Sequence, residues 1–261
     1  MVTLDDPSVS QVLFHPRREP PDFSPTGIPT LTACAGAKVS GYLHCRPDSP
    51  TGILFFHGNG EIAADYDALS AFYTACGASF WVVDYRGYGR STGSPSFSTL
   101  FEDAECMAAD VPRIIRICRE DDASIILMGR SLGSAAAIYL AAVQPDVFAG
   151  LILDSPYASA PDLVRRLGGP RIDRQARESL RDNLDLIESC TLPTLIMHGT
   201  HDRIIPVQEA EALRRACGSR VKRLVKIDGA GHNTLLQVGL DRYRAEISRH
   251  IARSTDAGRS G

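Results

Sequence analysis

Apolar positions follow two rhythms along this chain. From about Ile53 onward, short continuous runs recur: Ile53-Leu54-Phe55-Phe56, Phe80-Trp81-Val82-Val83, Ile125-Ile126-Leu127-Met128, Leu151-Ile152-Leu153, Leu195-Ile196-Met197 and Leu224-Val225-Lys226-Ile227. Runs that are continuous rather than alternating suit strands covered on both faces. Between them apolar residues take helical spacing, as in Ile62, Tyr66, Leu69 and Phe72, in Phe101, Ala104, Met107, Ala108 and Val111, in the stretch from Ala135 to Val143, and in Leu236, Leu240, Tyr243, Ile247 and Ile251. Strand and helix in alternation predict an open, doubly wound, mostly parallel α/β sheet of about eight strands.

Two regions break the rhythm. Gln11 to His15 and Leu31 to Arg46 read as short strands among Pro16, Pro20, Pro21, Pro25 and Pro29, an antiparallel start at one edge of the sheet. Residues 158–190 are too long for an ordinary connection and carry charges of both signs, which predicts a small helical lid over the sheet's C-terminal edge. Its Leu163, Leu167, Ile172, Leu180 and Leu184 suit anchoring to the core better than an acyl pocket. Its Arg165, Arg166, Arg171, Arg174 and Arg177 are interleaved with Asp162, Asp173 and Glu178, so a solvated face is favoured over a site for acidic head groups. Small polar residues from Ser254 to Gly261 predict a disordered tail, and residues 1–261 are expected to form a single domain.

Charge narrows the partners. The 28 basic and 31 acidic side chains leave a net charge of −3, which offers no field for nucleic acid. No run approaches the roughly 20 apolar residues of a membrane span, and the acidic, polar start from Met1 to Ser10 does not read as a signal peptide. The seven cysteines, Cys34, Cys45, Cys76, Cys106, Cys118, Cys190 and Cys217, show no close pairing; they read as reduced thiols of a cytoplasmic protein.

Ligands of such sheets bind beyond the C-terminal ends of the strands, so the residues after each run carry the chemistry. Gly129-Arg130-Ser131-Leu132-Gly133 fits G-x-S-x-G, a tight strand-to-helix turn that exposes a serine hydroxyl. Gly89-Arg90-Ser91-Thr92-Gly93 fits it too. Ser131 sits directly between an apolar run and a strong helix former, whereas Ser91 is followed by helix breakers and reads as a turn or capping serine. A serine hydroxyl needs a base held by an acid. His232 in the loop after the last run and Asp202 after Leu195-Ile196-Met197 complete the order Ser131, Asp202, His232, with Asp154 and Asp228 as rival acids. An oxyanion would take the N–H of Leu132 and that of Asn59, with Gly60 second, in the loop His57-Gly58-Asn59-Gly60-Glu61. Glu61 suits a first helical turn, and His57 reads as structural. A metal pair from His198 and His201 is disfavoured, for want of a helix or further ligands nearby.

These segments, with Asp84-Tyr85-Arg86-Gly87-Tyr88-Gly89-Arg90-Ser91 the most specific, resemble the α/β-hydrolase superfamily, and within it the prolyl-oligopeptidase-like, lysophospholipase-like and Bem-type depalmitoylase-like members. The resemblance covers roughly Gly52 to Ile251. It implies Ser131 as nucleophile, Asp202 as acid, His232 as base, Asn59 and Leu132 as oxyanion donors, and Ser91 in a structural loop. The chemistry expected is ester or thioester hydrolysis of a small acyl substrate through an acyl-enzyme, with no cofactor or metal. A peptidase, an amidase or an acyltransferase could use the same triad, and a non-catalytic binding protein could use the same scaffold.

Overall fold

All six continuous runs are strands: β3 (Thr51–Phe56), β4 (Ser79–Val83), β5 (Ser124–Arg130), β6 (Gly150–Asp154), β7 (Thr194–Gly199) and β8 (Lys222–Ile227). They follow a hairpin of β1 (Ile28–Cys34) and β2 (Ala37–His44), which turns at Gly36 with φ +75°. The computed structural model describes residues 2–119, 123–173 and 182–258. The strands form one eight-stranded sheet in the order β1-β2-β4-β3-β5-β6-β7-β8. β2 runs antiparallel to β1 and β4, and the other neighbours are parallel. Every residue of β3, β4, β6 and β7 is buried, which is why their sequences do not alternate. The edge strand β8 instead exposes Arg223 and Lys226, and such charges deter pairing with another chain.

The helix Phe97–Ile115 packs on the edge strand β1: Thr32 donates to Asp110 at 2.5 Å and Arg113 to the Leu31 carbonyl at 3.2 Å. The helix Ser134–Val143 buries Ala135, Ala136, Ala137, Ile138, Leu140 and Ala141, and its small residues let it lie close over β5 and β6. Among the described residues, no helix is long and apolar enough to cross a membrane.

Four expectations change. Gln11–His15 is not a strand. Pro7–Leu13 is a helix, because the Asp6 carboxylate accepts from Ser8 N–H at 2.9 Å, Pro7 opens the first turn, and Val9 and Leu13, one turn apart, bury together. Cys45 and Cys118 are not thiols. They form a disulfide across 73 residues, with Cα atoms 5.3 Å apart, because the end of β2 and the end of the helix Phe97–Ile115 meet there. With two cysteines joined, the set no longer points to a reducing compartment. The last helix, Leu240–Gly258, continues past Ser254, the residue chosen for the start of the tail; Ser254 is buried against Gly150. The lid segment, finally, is not only an anchor. Ile172 is buried in the core, but Leu163 and Leu167 also wall the cleft described below. Arg166 pairs with Glu209, and Arg165 lies 4.0 Å from Asp162. Leu180, Arg174, Arg177 and Glu178 lie outside the described residues.

Candidate active site

The C-terminal ends of β3, β5, β7 and β8 converge on one cleft. Ser131 leaves β5 with φ +49°, a left-handed conformation rare for a residue with a side chain. The flanking glycines make that turn possible. A Cβ at position 129 would stand 2.4 Å from the Gly133 carbonyl oxygen, and one at 133 would stand 2.2 Å from the Phe56 carbonyl oxygen. Gly133→Ala therefore has nowhere to go against backbone, and unfolding curves should show it destabilised by about 3 kcal/mol.

His232, in the loop after β8, reaches Ser131 Oγ with Nε2 at 2.9 Å and Asp202 Oδ2 with Nδ1 at 2.7 Å. The carboxylate fixes the tautomer: Nδ1 donates, and the Nε2 lone pair faces the serine hydroxyl. Asp202 is fixed in turn, since its Oδ1 accepts from Ile204 N–H at 2.9 Å and Ile205 N–H at 2.8 Å. The rival acids are occupied elsewhere. Asp154 accepts from Tyr243 and Ser155 hydroxyls, both at 2.8 Å, and exposed Asp228 accepts from Thr200 at 3.0 Å.

His198 was not anticipated in this role. Its Nε2 donates to the Ile205 carbonyl at 2.8 Å and lies 3.2 Å from Asp202 Oδ2, while His201 is exposed. Burial by itself raises the Asp202 carboxyl pKa. The hydrogen bonds from His198, His232 and the Ile205 N–H outweigh burial and hold it well below the usual range. Asp202 is thus an anion throughout the neutral range. The signal for His198 was in the sequence, four residues before Asp202.

Leu132 begins the helical turn after Ser131, where N–H groups lack intrahelical acceptors. Across the cleft, the Asn59 N–H makes no protein hydrogen bond among the described residues, while the Gly60 N–H faces the Tyr88 hydroxyl. The Asn59 side chain is held by His15 N–H at 2.9 Å and Tyr88 at 3.0 Å. His57 is buried below this loop, with Nδ1 donating to the Gly58 carbonyl at 2.8 Å. Ser91 lies apart from all of this: it is fully buried and its Oγ accepts from Ser40 N–H at 2.9 Å.

Glu61 is no idle first-turn carboxylate. It accepts from Gly58 N–H at 2.7 Å and from Tyr66 at 2.6 Å, and it pairs with Arg130. Arg130 also donates to Asn233 Oδ1 at 2.8 Å and to the His232 carbonyl at 3.2 Å. One guanidinium thus ties together the loops that carry Asn59, Ser131 and His232. Arg130, His232 and Asn233 also divide two clefts. One, of about 190 Å³, is walled by Leu13, Leu132, Leu163, Leu167, Ile204 and Ile205. The other, of about 330 Å³, is more polar and includes Glu61, Tyr66 and Asp154.

The family model described as serine aminopeptidase, S33, matches residues 48–182 and 162–238. Protein bem46 of Schizosaccharomyces pombe is 31% identical over 202 residues, covering 75% of this chain and 67% of the relative. The human alpha/beta hydrolase domain-containing protein 17B is 31% identical over 216 residues, covering 80% and 70%. Among solved structures, the Pyrococcus furiosus esterase Pf2001 superposes with a TM-score of 0.73 at 18% identity, over 91% of this chain and 98% of the other. Est1E from Butyrivibrio proteoclasticus, in a structure with ferulic acid bound, gives 0.68 at 22%, over 85% and 99%.

Proposed function

This chain belongs to the α/β-hydrolase family described by the serine aminopeptidase, S33, model, and on that premise we propose that it cleaves an ester or thioester through an acyl-enzyme formed on Ser131. The observation that carries this is the continuous relay from Asp202 through His232 to Ser131, at 2.7 and 2.9 Å, on a serine held at φ +49°. His232 takes the hydroxyl proton as Ser131 attacks the carbonyl. The N–H groups of Asn59 and Leu132 receive the oxyanion. His232 then protonates the leaving group, and later activates the water that releases the acyl group.

The apolar cleft suits the acyl chain, and the polar cleft beyond Arg130 suits the leaving group. Amide cleavage at a free amino terminus, which the family's description raises, calls for a carboxylate beside the serine to hold the ammonium. Among the described residues that line the cleft containing Ser131 there is no carboxylate, and Glu61 next to it is already committed to Arg130. The shape therefore favours uncharged acyl groups, and no cofactor takes part in the route.

A fluorophosphonate probe tests this directly. Intact protein should be labelled, and tandem mass spectrometry of the digest should place the label on Ser131. The Ser91→Ala variant should label equally. A label on Ser91, or none, overturns the assignment. A series of p-nitrophenyl esters of increasing chain length then measures how long an acyl group the Leu13 to Ile205 cleft accepts.

A further inference from the structure

A second cleft lies on the opposite edge of the sheet. Its volume is about 340 Å³, and it opens between the starts of β7 and β8 and the last helix. Thr194 and Lys222 open those strands, whereas Asp202 and His232 follow the far ends. A six-residue strand spans about 20 Å, so a small ligand here cannot reach Ser131.

The cleft is cationic in a chain whose net charge is −3. Arg220, Lys222, Arg223, Arg249 and Arg253 line it, and among the described residues Glu246 is the one carboxylate that lines it with them. Glu246 accepts from Arg223 at 2.8 Å and from Arg249 at 2.5 Å. Lys222 donates to the Cys217 carbonyl, which carries no charge. Arg220 and Arg253 take no carboxylate among the described residues. His250 completes the inner wall, and its Nε2 is buried without a partner. Burial, with the neighbouring charge of Arg253, lowers its pKa to about 4, so the ring is neutral and adds no further repulsion.

We infer that this cleft binds a compact anion bearing two or more phosphoryl groups. Cations gathered around a concave space repel one another until an anion fills it, and guanidinium forks match phosphoryl oxygens in pairs. At roughly 30 Å³ per water the space holds about ten waters. That exceeds one phosphate and admits adjacent phosphoryl groups, whether of a soluble metabolite or of a lipid headgroup.

Calorimetric titration of the whole protein with pyrophosphate in 50 mM salt should show one saturable site. The double variant Arg220→Gln, Arg253→Gln should weaken it at least tenfold while hydrolysis of a p-nitrophenyl ester is unchanged, which shows the variant folded. Co-sedimentation with vesicles of phosphatidylcholine carrying phosphatidylinositol 4,5-bisphosphate, against phosphatidylserine at matched charge, separates the sources. Pyrophosphate binding alone assigns a soluble ligand. Sedimentation with the bisphosphate lipid alone, lost in the double variant, assigns a headgroup. Binding of neither probe, binding that the double variant retains, or equal sedimentation with phosphatidylserine overturns the site.

Discussion

Replacing Ser131 by Ala should lower kcat for a p-nitrophenyl ester by about a millionfold, and Asp202→Asn by about ten-thousandfold. The second figure follows from the tautomer. The amide that replaces the carboxylate can still accept from Ile204 and Ile205 through its oxygen, so the turn survives. Its nitrogen then faces His232 Nδ1, where Oδ2 now sits at 2.7 Å. Two donors cannot share that contact. The imidazole moves its proton to Nε2, and the nitrogen facing Ser131 can no longer accept one. Asp154→Asn should stay within tenfold, because Asp154 serves the Tyr243 and Ser155 hydroxyls and not the relay. Steady-state kinetics on the three variants, each with a melting curve, rank the acids. A loss in Asp154→Asn as large as that in Asp202→Asn would reverse the assignment.

What the sequence disclosed about this site, and what it withheld, divides along sequence separation. The strands were legible because double-sided burial leaves continuous apolar runs. That Ser131, Asp202 and His232 would meet was legible because each follows such a run and the sheet brings their ends together. The helix Pro7–Leu13 was not legible in the pattern of Gln11–His15 because its start signals, Asp6 and Pro7, lie before that segment. Its consequence was missed with it: Leu13 and His15 reach across to line the Ser131 cleft. The Cys45–Cys118 bond spans 73 residues and the Arg130–Glu61 pair spans 69. No local periodicity reports partners that far apart; only the register of β3 against β5 places Glu61 beside Arg130.

That pair carries the second large effect. Glu61→Gln should lower kcat about a hundredfold with KM nearly unchanged, and melting should shift by only a few degrees. The side chains of Arg130 and Glu61 are only 14% and 24% exposed, but the neutral amide still offers one hydrogen-bond acceptor to the same neighbours, so the loss of stability is about 2 kcal/mol. Its leverage is positional. Gln keeps the size of Glu61 but turns one acceptor into a donor, against a carboxylate that now accepts from Gly58, Tyr66 and Arg130 at once. With the amide oxygen turned to Arg130, the Gly58 N–H loses its anchor one residue before Asn59, and the proposed oxyanion donor drifts. With the oxygen turned to Gly58 and Tyr66, Arg130 is freed on one side and loosens its hold on the His232 carbonyl and on Asn233. Either error is felt when charge develops on the carbonyl oxygen rather than when substrate binds, which is why kcat and not KM should move. Arg130→Gln should resemble Glu61→Gln, and the double variant should be little worse than either, because each single change already opens the same clamp. A KM effect with kcat intact, or fully additive losses, would show instead that the pair serves binding or folding and not the placement of the reacting groups.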